Sequence, residues 1–585
     1  MTKAPQKPNG FSSSTRICAT AITLATLSLL GGLSHAATLT WSGAASPDLT
    51  WSNASNWSTS AAPTSADTVV FGTTGAAASG TTNTVDSDFS ITALSYTGYD
   101  STSVSQTTSI ASGKTLTISG TGTALNVGPS GAAQNTTAII TGSGTLSLTG
   151  GTSANIQIGS STTTGTSGTE TLDMSGLTNF SASLGNFNLG SYTTATAQTG
   201  IVRLASTNSI TATAVNVGST QNSGSSGGPA TSQLELGQTN TIHATTITVG
   251  AGKSSGSMQF RTGLSGATLS IADITGSGAA NLNVGTNATA TSSSTSSTVD
   301  FSGGTVTANL GTVTIGTSAN GTGSTNTGSG SGTLIFGAGS ITATTMNIGN
   351  GSTGNKTAAT GNGTLTINSG AGTLTATTVN LGSGGSAGNS ATGVINQNGG
   401  TVNITTLAMG ARASSSGTVS ATYNLSGGTL NIGTGNVVAG TVTGGTATRN
   451  FNISGGTLNL NTTTAVGSIS GLTNLTLSSG TWDLTIASAA SFDSIAGTGT
   501  FSITGGAIDL TGSTLAVGTY QVLSGFTSGS VSGLTITGYD SSSYVASLSN
   551  AGTLTIAAVP EPGTYALVAG GLGMLVAWQR RRRLA

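Results

Sequence analysis

The stretch Ser340-Ile341-Thr342-Ala343-Thr344-Thr345-Met346-Asn347-Ile348-Gly349 alternates small polar and apolar residues and ends on a glycine. Alternation at period two, rich in β-branched residues, is strand patterning and not helix patterning. The last four residues are one copy of an apolar–x–apolar–Gly tetrad. Others end at Gly128, Gly159, Gly190, Gly218, Gly250, Gly285, Gly316, Gly382 and Gly410. Successive tetrad glycines, Gly349 included, are 31, 31, 28, 32, 35, 31, 33, 33 and 28 residues apart. A second strand precedes each tetrad, as in Leu116–Ile118, Leu146–Leu148, Leu334–Phe336 and Leu365–Ile367. A short Thr-rich strand lies between the two, and a Gly/Ser/Thr/Asn loop follows the tetrad. Three short strands and a loop per ~31 residues make one coil of a parallel β-helix. The tetrad's two apolar residues face inward and its x faces out. About a dozen coils, ~4.8 Å apart, give a rod of roughly 50–60 Å.

The fold expected is therefore an all-β parallel β-helix, or solenoid, with β caps at both ends and a single transmembrane helix at the C-terminus. The expected segments are a signal peptide (1–36), an N-terminal β cap (37–110), β-helix repeats (111–460), C-terminal coils with a second cap (461–558) and a sorting tail (559–585). Ile91–Ser103 (ITALSYTGYDSTS) aligns without a gap to Val531–Ser543 (VSGLTITGYDSSS), which reads as related β-elements at the two ends.

Composition narrows the function. Of 585 residues 91 are Gly and only 5% are charged, with a net charge of −1. Eight prolines exclude collagen-like and Pro-rich linker chains. The near-neutral balance offers no field for nucleic acid, and the basic residues between the two ends are scattered singly. Cys18 is the one cysteine and lies in the export signal, so disulfides and thiolate metal sites are excluded from the mature chain.

Both ends read as address labels. Lys3, Lys7 and Arg16 precede an uncharged, largely apolar run from Ile17 to Leu33, and Ser34-His35-Ala36 presents small residues where signal peptidase cuts, between Ala36 and Ala37. At the other end, Val559-Pro560-Glu561-Pro562-Gly563 precedes an apolar stretch, Tyr565–Trp578, then Arg580, Arg581, Arg582 and Arg583. The arginines act as a stop-transfer signal that leaves everything upstream outside. The apolar stretch reaches only ~21 Å as a helix, short of a ~30 Å hydrocarbon core, and it contains Gly570, Gly571 and Gly573. These features suit a tail that is read and then removed.

The motif, apolar stretch and arginine cluster resemble the PEP-CTERM sorting signal. The resemblance implies processing by an exosortase in a Gram-negative cell, transient residence at the inner membrane, and export to a surface or matrix containing exopolysaccharide. The repeats, with Trp41, Trp51, Asn56-Trp57, Pro63 and Asp67 ahead of them, resemble autotransporter-associated β-strand repeats, although no outer-membrane barrel follows.

Chemistry is sparse. Catalysis on glycans needs two carboxylates about 5–10 Å apart. The outward positions of the second strand put Asp173, Arg203 and Glu235 in one column, an alternating ion ladder and not an acid pair. His243 stands alone between Ile242 and Ala244 and reads as a surface strand residue. No His or Cys cluster suits zinc, and Asp86-Ser87-Asp88 lacks the Gly and Glu of a calcium loop. No cofactor is expected, and no catalytic residue is assigned. Two sets of residues are candidate glycan contacts. The tetrad x positions Asn126, Asn188, Asn216, Asn347 and Asn380 form an amide stripe able to bond sugar hydroxyls, or to bond each other along the stack. Trp41, Trp51 and Trp57 either stack on sugars or fill the core of the N-terminal cap. The reading is an exported, non-catalytic structural protein of the cell surface or exopolysaccharide matrix, with a glycan-binding adhesin as the alternative and a polysaccharide-active enzyme as the third.

Overall fold

In the computed structural model of the chain, Ile315 pairs with Ile348 and Ile348 with Leu381, while Thr314, Asn347 and Asn380 follow one another on the outer face. The same parallel register repeats along the chain and builds a β-solenoid of about 14 turns. One sheet contains 35 strands. The structure describes residues 36–72, 80–97, 105–128, 135–159, 168–190, 198–219, 231–287, 294–318, 328–351, 359–384, 389–412, 417–433, 438–439, 446–460, 466–560 and 562–584. Residues 1–35, Gly98–Ser103 and Glu561, on which parts of the sequence reading fall, lie outside the described residues.

The inward residues form one apolar core running from Leu39 to Ile556. Each coil leaves two apolar faces to be covered, so a coil gains its stability from its neighbours. The coils contain fewer separate strands than expected. Gly330–Phe336 and Ala338–Asn350 make one coil, and the Thr-rich segment and the tetrad are continuous within the second. The bend falls at Thr344 and Thr345, which both face outward, so the alternation slips by one residue while the ladder continues. In Ser390–Met409 all three faces belong to a single strand of 20 residues.

The tetrad glycine has two causes. Gly349 has φ +70°, a left-handed conformation that side chains resist. A Cβ there would also sit 2.0 Å from the Thr392 carbonyl oxygen in a neighbouring coil.

The ends differ from the expectation of two related caps. Ser95, in the first of the two aligned segments, belongs to the tetrad column and pairs with Asn126. Thr535, its counterpart, pairs with Ala507 on the face formed by the Thr-rich segments. The two short matching sequences thus occupy different faces. The N-terminal end is closed by Trp41, Trp51 and Trp57, all buried, packed edge-to-face with Trp57 at the centre. Trp51 Nε1–H donates to Asn83 Oδ1 at 2.7 Å. The C-terminal end has an antiparallel sheet of Gly518–Gln521, Thr553–Ala558 and Tyr544–Leu548. It is tied to the solenoid by Leu523 N–H to Gly552 O and by Val531 N–H to Asn550 Oδ1.

One helix, Pro562–Leu584, follows. Its 23 residues would extend ~35 Å, but among the described residues no helix is long and apolar enough to cross a membrane. The expected transmembrane helix is corrected to a helical tail. Three glycines dilute its apolar part, and four arginines occupy its last turns.

Candidate functional site

The tetrad stripe is an aligned column: Asn126, Gln157, Asn188, Asn216, Thr248, Asn283, Thr314, Asn347 and Asn380 pair in succession. Many of its amides bond along the stack. Asn216 Nδ2 donates to Asn188 Oδ1 at 2.8 Å, and Asn380 Nδ2 to Asn347 Oδ1 at 2.8 Å. Asn126 Nδ2 donates to the Ser95 hydroxyl at 3.2 Å. Amides used this way hold coils in register, and their capacity for an outside ligand is reduced.

The second face holds the ion ladder. Arg203 reaches Asp173 at 3.2 Å and Glu235 at 3.0 Å. These groups are partly exposed, so the ladder adds little stability. The same column continues as Asn396, Asn424 and Asn452, linked at 2.8 and 2.9 Å. A third amide ladder, Asn403–Asn431–Asn459, lies on the remaining face. Sequence reasoning missed it, although Thr429-Leu430-Asn431-Ile432 and Thr457-Leu458-Asn459-Leu460 are near-copies.

That third column runs on into Asp483 and Asp509, which pair on successive coils. Burial, with the Asp509 charge behind it, raises the Asp483 carboxyl above its usual range. Asp509 Oδ1 accepts from its own turn, from the Thr511 hydroxyl at 2.7 Å and amide at 3.1 Å. The two carboxylates thus stand in one column on adjacent coils. This was not anticipated, because these coils lie beyond the last tetrad and its count does not reach them. Two further carboxyls are fully buried. Burial pushes Glu170 up to about 7, against the Thr136 N–H that donates to it at 2.8 Å. Burial likewise pushes Asp493 up to about 6, although Gly467 N–H and Thr485 N–H both donate to it. Among the described residues no group of three or more His, Cys, Asp or Glu is placed to hold a metal.

A concave feature on the tetrad face lies at its N-terminal end. It is a groove of about 750 Å³ whose floor carries Val70, Ser95, Asn126 and Gln157. Thr121 and Thr123 form part of its wall, where the register shifts by a β-bulge between Asn155 and Ile156. Hydroxyl and amide groups line it together with Val70, Ala93 and Leu94, and no charged residue does. The three tryptophans do not contribute. Their burial leaves no ring face for a sugar, and this corrects their candidacy as glycan contacts. His243 is half-buried on its strand.

The two processing regions are placed differently. Ala36 is exposed, and the Ala37 N–H donates to Asp67 Oδ1 at 3.0 Å. The C-terminal motif begins directly after the central strand of the antiparallel sheet, with the Val559 N–H held by Ser543 O at 2.9 Å. Beyond it the described helix side chains are all exposed. Arg582 lies over the Trp578 ring at 4.4 Å. No curated protein and no solved structure matches the chain significantly. Residues 558–583 match the PEP-CTERM protein-sorting motif, which implies processing by exosortase and export in a Gram-negative bacterium.

Proposed function

We propose that the chain is an exported, non-catalytic structural protein of the cell surface or exopolysaccharide matrix. The observation that carries this reading is a sorting motif placed directly after a β-solenoid of about 14 turns. In this reading the signal peptide directs export and is cut before Ala37. The tail, with Val559-Pro560-Glu561-Pro562 and the arginines Arg580–Arg583, then engages the inner membrane transiently and is removed by exosortase. The repeats' likeness to autotransporter-associated β-strand repeats accords with a surface rod. The rod's worth is mechanical: length, and faces closed by their own ladders. Surface fractionation of wild-type and exosortase-deficient cells tests the sorting step. Retention of the protein at the inner membrane in the deficient cells is expected, and equal surface display in both would overturn it. Polysaccharide turnover abolished by Asp483→Asn would overturn the non-catalytic assignment.

A second reading, glycan binding, is favoured by the N-terminal groove. A floor of successive coils ~4.8 Å apart offers hydroxyl and amide partners at about the spacing of sugar units, and the lack of charge selects neutral chains. Cellohexaose and dextran oligosaccharides are suitable probes, with alginate as the acidic control. An Asn126→Ala/Gln157→Ala variant should lose neutral-glycan binding while Asn347→Ala retains it. Binding unaffected by the groove variant would refute this reading and leave the structural one intact.

A further inference from the structure

We propose that Asp67 is the receptor for the new N-terminus that signal cleavage creates, so that removal of the leader closes an ion pair which locks the first coil. The proposal rests on the export reading and adds a residue-level consequence of it.

Asp67 is 5% exposed, unusual for a carboxylate. Its Oδ2 accepts from the Thr64 amide at 2.8 Å and the Thr64 hydroxyl at 2.6 Å. Its Oδ1 accepts from the Ala37 nitrogen at 3.0 Å. Among the described residues no cationic side chain lies against Asp67. Neutral donors alone already satisfy this shielded carboxylate, and a cationic donor in the place of one of them would bind it more strongly. The cut expected after Ser34-His35-Ala36 supplies that cation. Water adds across the Ala36–Ala37 peptide bond, Ala36 leaves as a carboxylate, and the Ala37 nitrogen takes up a proton to become an ammonium. The nitrogen need not move. The neutral peptide N–H at 3.0 Å becomes a charged donor at the same place, and a charge-assisted bond is roughly twice as strong as a neutral one.

The position explains why a lock there matters. Ala37 immediately precedes Thr38–Thr40, the first strand, which pairs with Thr68–Val70. Ala37 O accepts from Thr68 N–H at 2.8 Å, and Asp67 O from Thr92 N–H at 2.7 Å. Asp67 thus holds the chain's new end through its carboxylate and the coil after it through its backbone carbonyl. The first strand is where an open solenoid would fray or pair with another chain. With the leader attached, Ala37 carries a neutral amide and a peptide continuing from it, and the lock stays unformed.

The test uses the exported protein recovered from cells. N-terminal sequencing should give Ala37 as the first residue. A two-by-two cycle then compares wild type and Asp67→Asn, each with free and acetylated amines. Lysine acetylation is common to both backgrounds and cancels. Acetylation should lower the melting temperature of wild type by several degrees more than that of Asp67→Asn. By NMR titration the Ala37 amine of wild type should titrate at least about one unit above the ordinary ~8, and in Asp67→Asn near that value. A group raised this way gives stability that is complete below its ordinary pKa and is lost as pH rises through the folded value. A start at another residue, a cycle without coupling, or an unshifted amine each overturns the proposal. Export itself is judged separately, by fractionation.

Discussion

Replacing Gly349 by Ala separates two reasons for a glycine that sequence alone cannot separate. The first is conformational: at φ +70° a side chain costs about 1–2 kcal/mol. The second is the approach of the neighbouring coil. The added Cβ would lie 2.0 Å from Thr392 O, 2.3 Å from Thr392 C and 2.7 Å from Gly393 N. All three are backbone atoms, so no side chain can swing aside. Relief requires the coils to part locally, which adds about 1–3 kcal/mol of overpacking strain. Gly263 is the internal control. It has φ +88°, and nothing lies within 4 Å of an added Cβ. Gly263→Ala should therefore cost only the conformational term, about 1–2 kcal/mol, and Gly349→Ala about 2–5 kcal/mol. Because a solenoid unfolds in segments, thermal melts by circular dichroism should be paired with hydrogen exchange. Faster exchange is expected around 349 and around 392–393 for Gly349→Ala, and near 263 alone for Gly263→Ala. Equal costs for the two variants would refute the claim that coil-to-coil closure, beyond backbone handedness, dictates the tetrad glycine.

Ile348→Asp places a carboxylate in the core at a fully buried site and should cost about 3–5 kcal/mol. Asn347→Asp, one residue away, keeps an acceptor for Asn380 Nδ2 and should stay within ~0.5 kcal/mol; equal melting temperatures would contradict the strand register. Glu170 titrates near 7 in the fold against an ordinary 4.5, so the folded state holds its proton more tightly than the unfolded chain. Stability should fall as pH rises from 4.5 to 7, with Glu170 contributing at most about 3 kcal/mol of the loss, and Glu170→Gln should reduce that slope in urea melts while leaving the part due to Asp493. Deleting residues 317–349, which joins Gly316 to Asn350, the equivalent of Thr317, should leave a folded rod shorter by ~5 Å in scattering. Deleting 317–333 alone should be far more damaging, and equal damage would argue against a repeat stack.

The repeat register was legible because its signal is local and repeated. Asn347 sits between Met346 and Ile348 in one strand, and that alternation alone assigns inside and outside. The Asp173–Arg203–Glu235 ladder followed from the same counting, since residues one coil apart become neighbours. What stayed hidden depends on where loops and bends place whole segments. The shared Thr-Gly-Tyr-Asp sequence suggested equivalent ends, yet Ser95 and Thr535 lie on different faces, because a short strand motif does not record which face it joins. The groove at Ser95, Asn126 and Gln157 needed a bulge that the alternation does not announce. Asp483 and Asp509 meet because their coils differ in length from the tetrad repeat and only the ladder aligns them. The tail's sorting motif was legible from its residue order alone, and the glycines and arginines that leave no described helix long and apolar enough to cross a membrane stand in the same stretch. Asp67 was noted with the N-terminal tryptophans, but its approach to Ala37 depends on thirty intervening residues folding back.

The most direct test of the account is the intact mass of the protein released from the cell surface. Export followed by sorting predicts a chain that begins at Ala37 and lacks Arg580–Arg583. A surface form that retains the leader or the arginines would contradict it.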